Sequence, residues 1–127
     1  MAKDKNGARN CATEEQEQIA VIHWAEMFAA GRPELGLLFH IPNGGKRSKS
    51  EAARFKAAGV CPGIPDLFLP VAHGGYYGLW IEMKAKDGRV SPAQRDMMGR
   101  LTAQGYRCVV CFGADEAIAQ ITKYLEG

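Results

Sequence analysis

The sequence has no apolar run approaching the ~18 residues that a membrane-spanning helix needs. The polar, basic stretch over residues 1–10 is followed by no apolar segment of the kind a secretory signal carries. A membrane protein is therefore excluded, and a cytoplasmic protein is expected. Cysteine is scarce: Cys11, Cys61, Cys108 and Cys111 are too few and too unevenly spaced for a disulfide scaffold. Cys108 and Cys111 form a C-x-x-C, but no second cysteine pair or H-x-x-x-H completes a zinc site. Nor does a helix N-terminus follow the motif to lower a thiol pKa, which argues against a small redox protein. Neither sign of charge dominates, since 16 Lys and Arg against 14 Asp and Glu leave +2, too little to imply a polyanionic partner from the total alone. Internal repeats and low-complexity tracts are also missing.

What is present fits one globular domain. At 127 residues, 46% hydrophobic and 24% charged, the chain can bury about two thirds of its unfolded surface around one core. A flexible N-terminus over residues 1–12 and one domain over 13–127 are expected. Thr13 and Gln16 have capping-box spacing at the start of a helix reaching about residue 30, with Gly31 and Pro33 to stop it. In that helix Val21, Trp24, Ala25 and Phe28 share one face, and Glu14, Glu17 and Gln18 project near it. Residues 36–41 read as a short buried strand, and a second helix over 51–58 is capped by Ser48 or Ser50. Residues 66–71 and 76–85 read as antiparallel strands joined at His73-Gly74-Gly75. Ser91, Pro92 and Gln94 open a third helix reaching about residue 104. Residues 106–112 read as a strand covered on both faces, and a last helix over 116–125 aligns Ile118, Ile121, Thr122 and Leu125. The order α, β, α, β, β, α, β, α predicts a three-layer α/β domain with a mixed sheet.

The chemistry concentrates in two of those strands. Asp66 and Glu82 lie sixteen positions apart on predicted hairpin partners, which brings their carboxylates within reach of each other. Glu82 and Lys84 are two apart on one strand, so both emerge on the same face, with Met83 on the other. An acid and a base in an otherwise apolar strand conflict with burial, and such conflicts mark functional sites. Two facing carboxylates stay ionised only with a cation between them. Their oxygens suit Mg²⁺, with the Met83 backbone carbonyl as a further ligand. Lys84 beside such an ion can hold and help deprotonate a water or stabilise charge on a phosphate oxygen, the tasks of phosphodiester hydrolysis.

Between Lys46 and Lys56 there are five basic residues, Lys46, Arg47, Lys49, Arg54 and Lys56, and one acid, Glu51. A basic loop that runs into a helix suits a DNA backbone. It lacks the G-x-x-x-x-G-K-[ST] spacing of a nucleotide-binding loop. His40 and Asn43 sit where a strand gives way to a glycine loop, a common place for ligand contacts. For His40, an ordinary strand-end histidine is the alternative reading.

Gly63-Ile64-Pro65-Asp66 followed by Glu82-Met83-Lys84 resembles the PD-(D/E)XK nuclease signature. The blocks His40-Ile41-Pro42-Asn43-Gly44-Gly45-Lys46-Arg47 and Gly88-Arg89-Val90-Ser91-Pro92-Ala93-Gln94 narrow the resemblance to the VRR-NUC family, over about residues 14–124. The resemblance implies a restriction-endonuclease-like αβββαβ core, with Asp66 and Glu82 binding the catalytic ion, Mg²⁺ or Mn²⁺, and Lys84 acting in catalysis. It also implies an acid on the first helix. Glu14, followed four residues later by Gln18, matches the family pattern best, with Glu17 in reserve. Gln94 matches a family glutamine that could reach the site, although a plain capping role accounts for it equally. Asn43, Lys46, Arg47, Lys49, Arg54 and Lys56 are the candidate DNA contacts.

A globule of this size has a radius of gyration of only ~14 Å and covers little more than one duplex face. The expected function is therefore a metal-dependent, structure-selective DNA endonuclease, acting as a homodimer on branched DNA such as a four-way junction. Stand-alone members of the family are implied to resolve junctions, and versions fused in larger nucleases to act on flaps. The alternatives are a nickase, a flap or duplex nuclease of the same fold, or a DNA-binding module without catalysis.

Overall fold

The computed structural model describes residues 12–42 and 48–127. The expected flexible N-terminus, apart from Ala12, therefore lies outside the described residues. The first helix, α1 (Glu14–Phe28), starts where the side chains predict, because Thr13 and Gln16 form a reciprocal capping box. That exchange satisfies two otherwise unpaired N–H groups, a contribution of about 1 kcal/mol. A 3-10 turn (Pro33–Leu37) follows. The anticipated strand over 36–41 shrinks to β1 (Phe39–His40), and it is not buried. Pro33 starts the tight turn, which absorbs Gly36 and Leu37, and only Leu35 within it reaches the core.

Helix α2 (Lys49–Ala57) begins two residues earlier than expected, with Ser48 and Glu51 forming its capping box, and none of its residues is buried. Strands β2 (Leu67–Leu69) and β3 (Leu79–Lys84) pair antiparallel with Leu67 opposite Ile81 and Leu69 opposite Leu79. Both are shorter than predicted, because residues 70–78 form the connection, closed by an isolated bridge from His73 to Tyr76. Helix α3 (Pro92–Ala103) carries the Ser91 and Gln94 capping box. Strand β4 (Arg107–Phe112) lies parallel to β3, and α4 (Ala114–Glu126) closes the chain. The sheet order is β1-β2-β3-β4, antiparallel up to β3 and parallel beyond it.

Strand alternation sorts the side chains into two layers. Leu67, Leu69, Leu79, Ile81, Met83 and Cys111 turn to one face and are fully buried with Val21 and Ala25 of α1 and Ala117 and Ile121 of α4. The other face carries Phe68 stacked on Trp80 at 4.1 Å, then Glu82 and Lys84, with α3 packed alongside β4. This is the three-layer mixed-sheet α/β architecture. Two expectations need correction here. Strand β4 is only half covered, because α3 has no fully buried residue and Cys111 alone in the strand is buried. The inward side of α4 is turned from the expected stripe: Ala117, Ile121, Tyr124 and Leu125 are buried, whereas Ile118 and Thr122 are partly exposed. Cys111 sits in the core with its thiol pushed up to about 12, by burial first and then by Glu116, so it is an inert thiol. Among the described residues, no helix is long and apolar enough to cross a membrane.

Candidate active site

The β2–β3 register places Asp66, the residue before β2, opposite Glu82. There β3 runs on past the end of its neighbour. The Met83 N–H, which has no β2 backbone partner at that point, donates to Asp66 Oδ2 at 2.8 Å. The same bond fixes the carboxylate of Asp66, a residue that lines the cavity beside the strand end. Glu82 and Lys84 are both buried, at 1% and 9% exposure, on the face shared with α3. Buried charges must be paired. Gln94, at the third position of α3, donates from Nε2 to Glu82 Oε2 at 2.9 Å, and Lys84 Nζ lies 3.4 Å from the same oxygen. Glu82 Oε1 is buried with no hydrogen-bond partner.

The third acid comes from the capped end of α1. Glu14, Asp66 and Glu82 each offer a carboxylate oxygen, and these oxygens lie within 4.8 Å of one another. Burial, and after it the negative charge of Asp66, pushes the Glu82 carboxyl up to about 8 against the pull of Lys84. Burial and Asp66 raise Glu14 in the same way. Three acids so close are held ionised only by a cation. Hard oxygen donors and an orphaned buried carboxylate oxygen are the donor set that suits a divalent ion such as Mg²⁺ or Mn²⁺. The three acids, Lys84 and Gln94 line one open cavity of about 590 Å³, together with His40, Gln18 and Gly63.

The structure separates the two candidate acids of α1. Glu17 Oε1 accepts the Ala114 N–H at 2.7 Å, so its carboxylate caps α4, whose own N-cap residue, Gly113, has no side chain to do so. Glu14 faces the cavity. Gln94 takes both roles weighed for it: Oε1 accepts the Ser91 N–H in the capping box while Nε2 reaches Glu82. Lys49, Arg54 and Lys56 are exposed on α2 and do not line the cavity. Asn43, Lys46 and Arg47 lie outside the described residues.

Two contributions were not legible in the sequence. Gly63 has φ +84°, and a Cβ there would meet the Ala93 carbonyl oxygen at 2.5 Å, so its bare backbone lets the start of α3 close on the site. Gln18, one turn after Glu14, lies 3.0 Å from His40 Nδ1 through its amide nitrogen, joining residues 22 apart. The sequence signals near that bond were the inward projection of Gln18 and its i, i+4 spacing from Glu14, neither of which named His40 as its partner.

A four-stranded mixed sheet between helices, with an acidic cluster and a lysine lining a cavity at one end of two strands, defines the restriction-endonuclease-like class. The family profile of the VRR-NUC domain matches residues 12–115, and the chain belongs to that nuclease-type family. A solved structure described as a VRR_NUC domain protein superimposes with a TM-score of 0.78 and 35% sequence identity, over 91% of this chain and 90% of that one. A comparison with curated proteins found no match.

Proposed function

We propose that the protein is a divalent-metal-dependent endonuclease that hydrolyses DNA phosphodiesters, with residues 13–127 as its one nuclease domain. The observation that carries this reading is the convergence of Glu14, Asp66 and Glu82 within 4.8 Å, beside Lys84. Asp66 and Glu82 would hold the ion, with Glu14 completing the acidic set. The Met83 carbonyl is a further candidate, because N–H and C=O of one strand residue point to the same side and the Met83 N–H already points at Asp66. An ion bound there supplies Lewis-acid stabilisation of charge on the phosphate and a more acidic water.

The chain's own groups do the rest. Gln94 and Lys84 fix Glu82 Oε2 from two directions, while the buried Oε1 has no hydrogen-bond partner and is available as a ligand. The Lys84 ammonium, held by that carboxylate, positions the attacking water and offsets the negative charge that grows on the phosphate oxygens. As the water oxygen bonds to phosphorus and gives up a proton to solvent, the bond to the bridging oxygen opposite it breaks, and that oxygen leaves as an alcohol after taking a proton from solvent. Asn43, Lys46, Arg47, Lys49, Arg54 and Lys56 would track the DNA backbone. Mg²⁺ or Mn²⁺ fits the oxygen donor set equally.

The preferred substrate in this reading is branched DNA, a four-way junction first and a flap second, cut by a homodimer. One acidic cluster is found among the described residues. Two symmetric nicks across a junction require two such clusters, which a two-fold dimer provides. Cleavage of labelled junction and linear duplex with each metal tests this: paired nicks in the junction alone are expected. Cutting of both substrates would make it a general nuclease, and tight binding without cutting would make it a binding module.

A further inference from the structure

Resting on the nuclease reading, we propose that His40 is a further substrate-contacting residue of this site, donating a hydrogen bond to the scissile phosphodiester from the side opposite Lys84, and that Gln18 is its positioning residue. His40 is paired with Leu67, whose side chain is buried in the core face of the sheet, so His40 also turns toward α1. There it meets Gln18, with Gln18 Nε2 3.0 Å from His40 Nδ1. Lys84 enters the same cavity from the α3 face, beside Glu82 and Gln94. The two nitrogen-bearing side chains thus approach the acidic cluster from opposite sides of the sheet.

Tautomer follows from the hydrogen bond. With Nδ1 accepting from the Gln18 amide, the neutral imidazole carries its proton on Nε2, the nitrogen not engaged by Gln18. A phosphodiester bound at the carboxylate cluster presents acceptor oxygens to such a donor. In-line displacement puts the entering and leaving oxygens on opposite sides of phosphorus. A donor across from Lys84 therefore serves the side that Lys84 does not. Gln18 and Glu14 lie one helical turn apart, so α1 offers one carboxylate to the cluster and one amide to hold the imidazole.

The test is single-turnover cleavage of a labelled four-way junction in Mg²⁺, with calorimetric Mn²⁺ affinity and DNA affinity in Ca²⁺ measured on the same proteins. His40→Ala is expected to cut about 100-fold more slowly, the usual loss for one donor at a reacting centre. Its Mn²⁺ affinity stays at the wild-type value. His40→Gln recovers part of the rate by restoring an N–H. Gln18→Ala slows cleavage less, and the double variant is no slower than His40→Ala, since Gln18 acts through His40. Wild-type cleavage by His40→Ala overturns the proposal. So does a loss of Mn²⁺ affinity that matches the loss of rate, because His40 would then only support the carboxylates. If the wild-type protein binds Mn²⁺ and cuts no DNA, it is the nuclease reading that fails. DNA affinity then decides the His40 contact: a drop in His40→Ala supports it, and an unchanged value overturns it.

Discussion

Glu82 is a residue that this fold makes costly to keep ionised. Its carboxyl is raised to about 8 by burial and by Asp66, and Glu14 is raised in the same direction. The sign of the consequence follows from linkage. Above the ordinary value of 4.5 the unfolded chain releases its proton while the folded one keeps it up to about 8, so that contribution to stability is complete below 4.5 and lost as pH rises through about 8. In EDTA, the melting temperature should therefore fall between pH 4.5 and 8, and Glu82→Gln should flatten that slope. Mg²⁺ or Mn²⁺ should raise the wild-type melting temperature most at the upper end of this window, where the ion competes least with protons. A wild-type slope that Glu82→Gln leaves unchanged would contradict this assignment. The two acids of α1 give a second contrast. Glu17→Ala removes the cap of α4 and should cost about 1–2 kcal/mol in urea denaturation while cleavage is retained. Glu14→Gln should do the reverse. Outer partners of metal ligands alone are worth 10–100-fold, so losing Glu14 should reduce cleavage by about 100-fold or more.

Two helix starts were legible because their signals are local: Thr13 with Gln16 and Ser91 with Gln94 are each three residues apart and form their boxes, whereas α2 and α4 each begin two residues before the expected 51 and 116. The β2–β3 pairing was legible because a glycine turn separates two apolar runs. Strand β1 was overextended, since residues 36–41 are apolar, yet Leu37 and Phe39 are about half exposed. A short apolar run does not distinguish a strand from a tight turn. The choice between Glu14 and Glu17 was not decidable locally, because it depends on where α4 begins, 97 residues beyond Glu17. The Gln18–His40 bond was hidden for the same reason. Gly63 shows how an element is seated by one atom that is missing. Gly63→Ala should cost roughly 2–4 kcal/mol from left-handed strain and overpacking against Ala93. Its Mn²⁺ affinity should also fall, because α3 moves and takes Gln94 from Glu82. Wild-type urea stability in this variant would show that the contact is not tight.

The molecule divides its labour between the core face of one sheet and the cavity at the end of two of its strands. The core face, closed by α1 and α4, supplies stability, while the cavity end of β2 and β3, flanked by the starts of α1 and α3, gathers the charges. The most direct test of that division is metal-dependent cleavage of a labelled four-way junction by wild type and Asp66→Ala, in Mg²⁺, Mn²⁺ and EDTA, with linear duplex alongside. Paired nicks in the junction that need the metal and vanish in Asp66→Ala, while the variant still folds and still binds DNA, are the predicted result. Cleavage that persists in EDTA or in Asp66→Ala would contradict the assignment of Glu14, Asp66 and Glu82 as the centre of the chemistry.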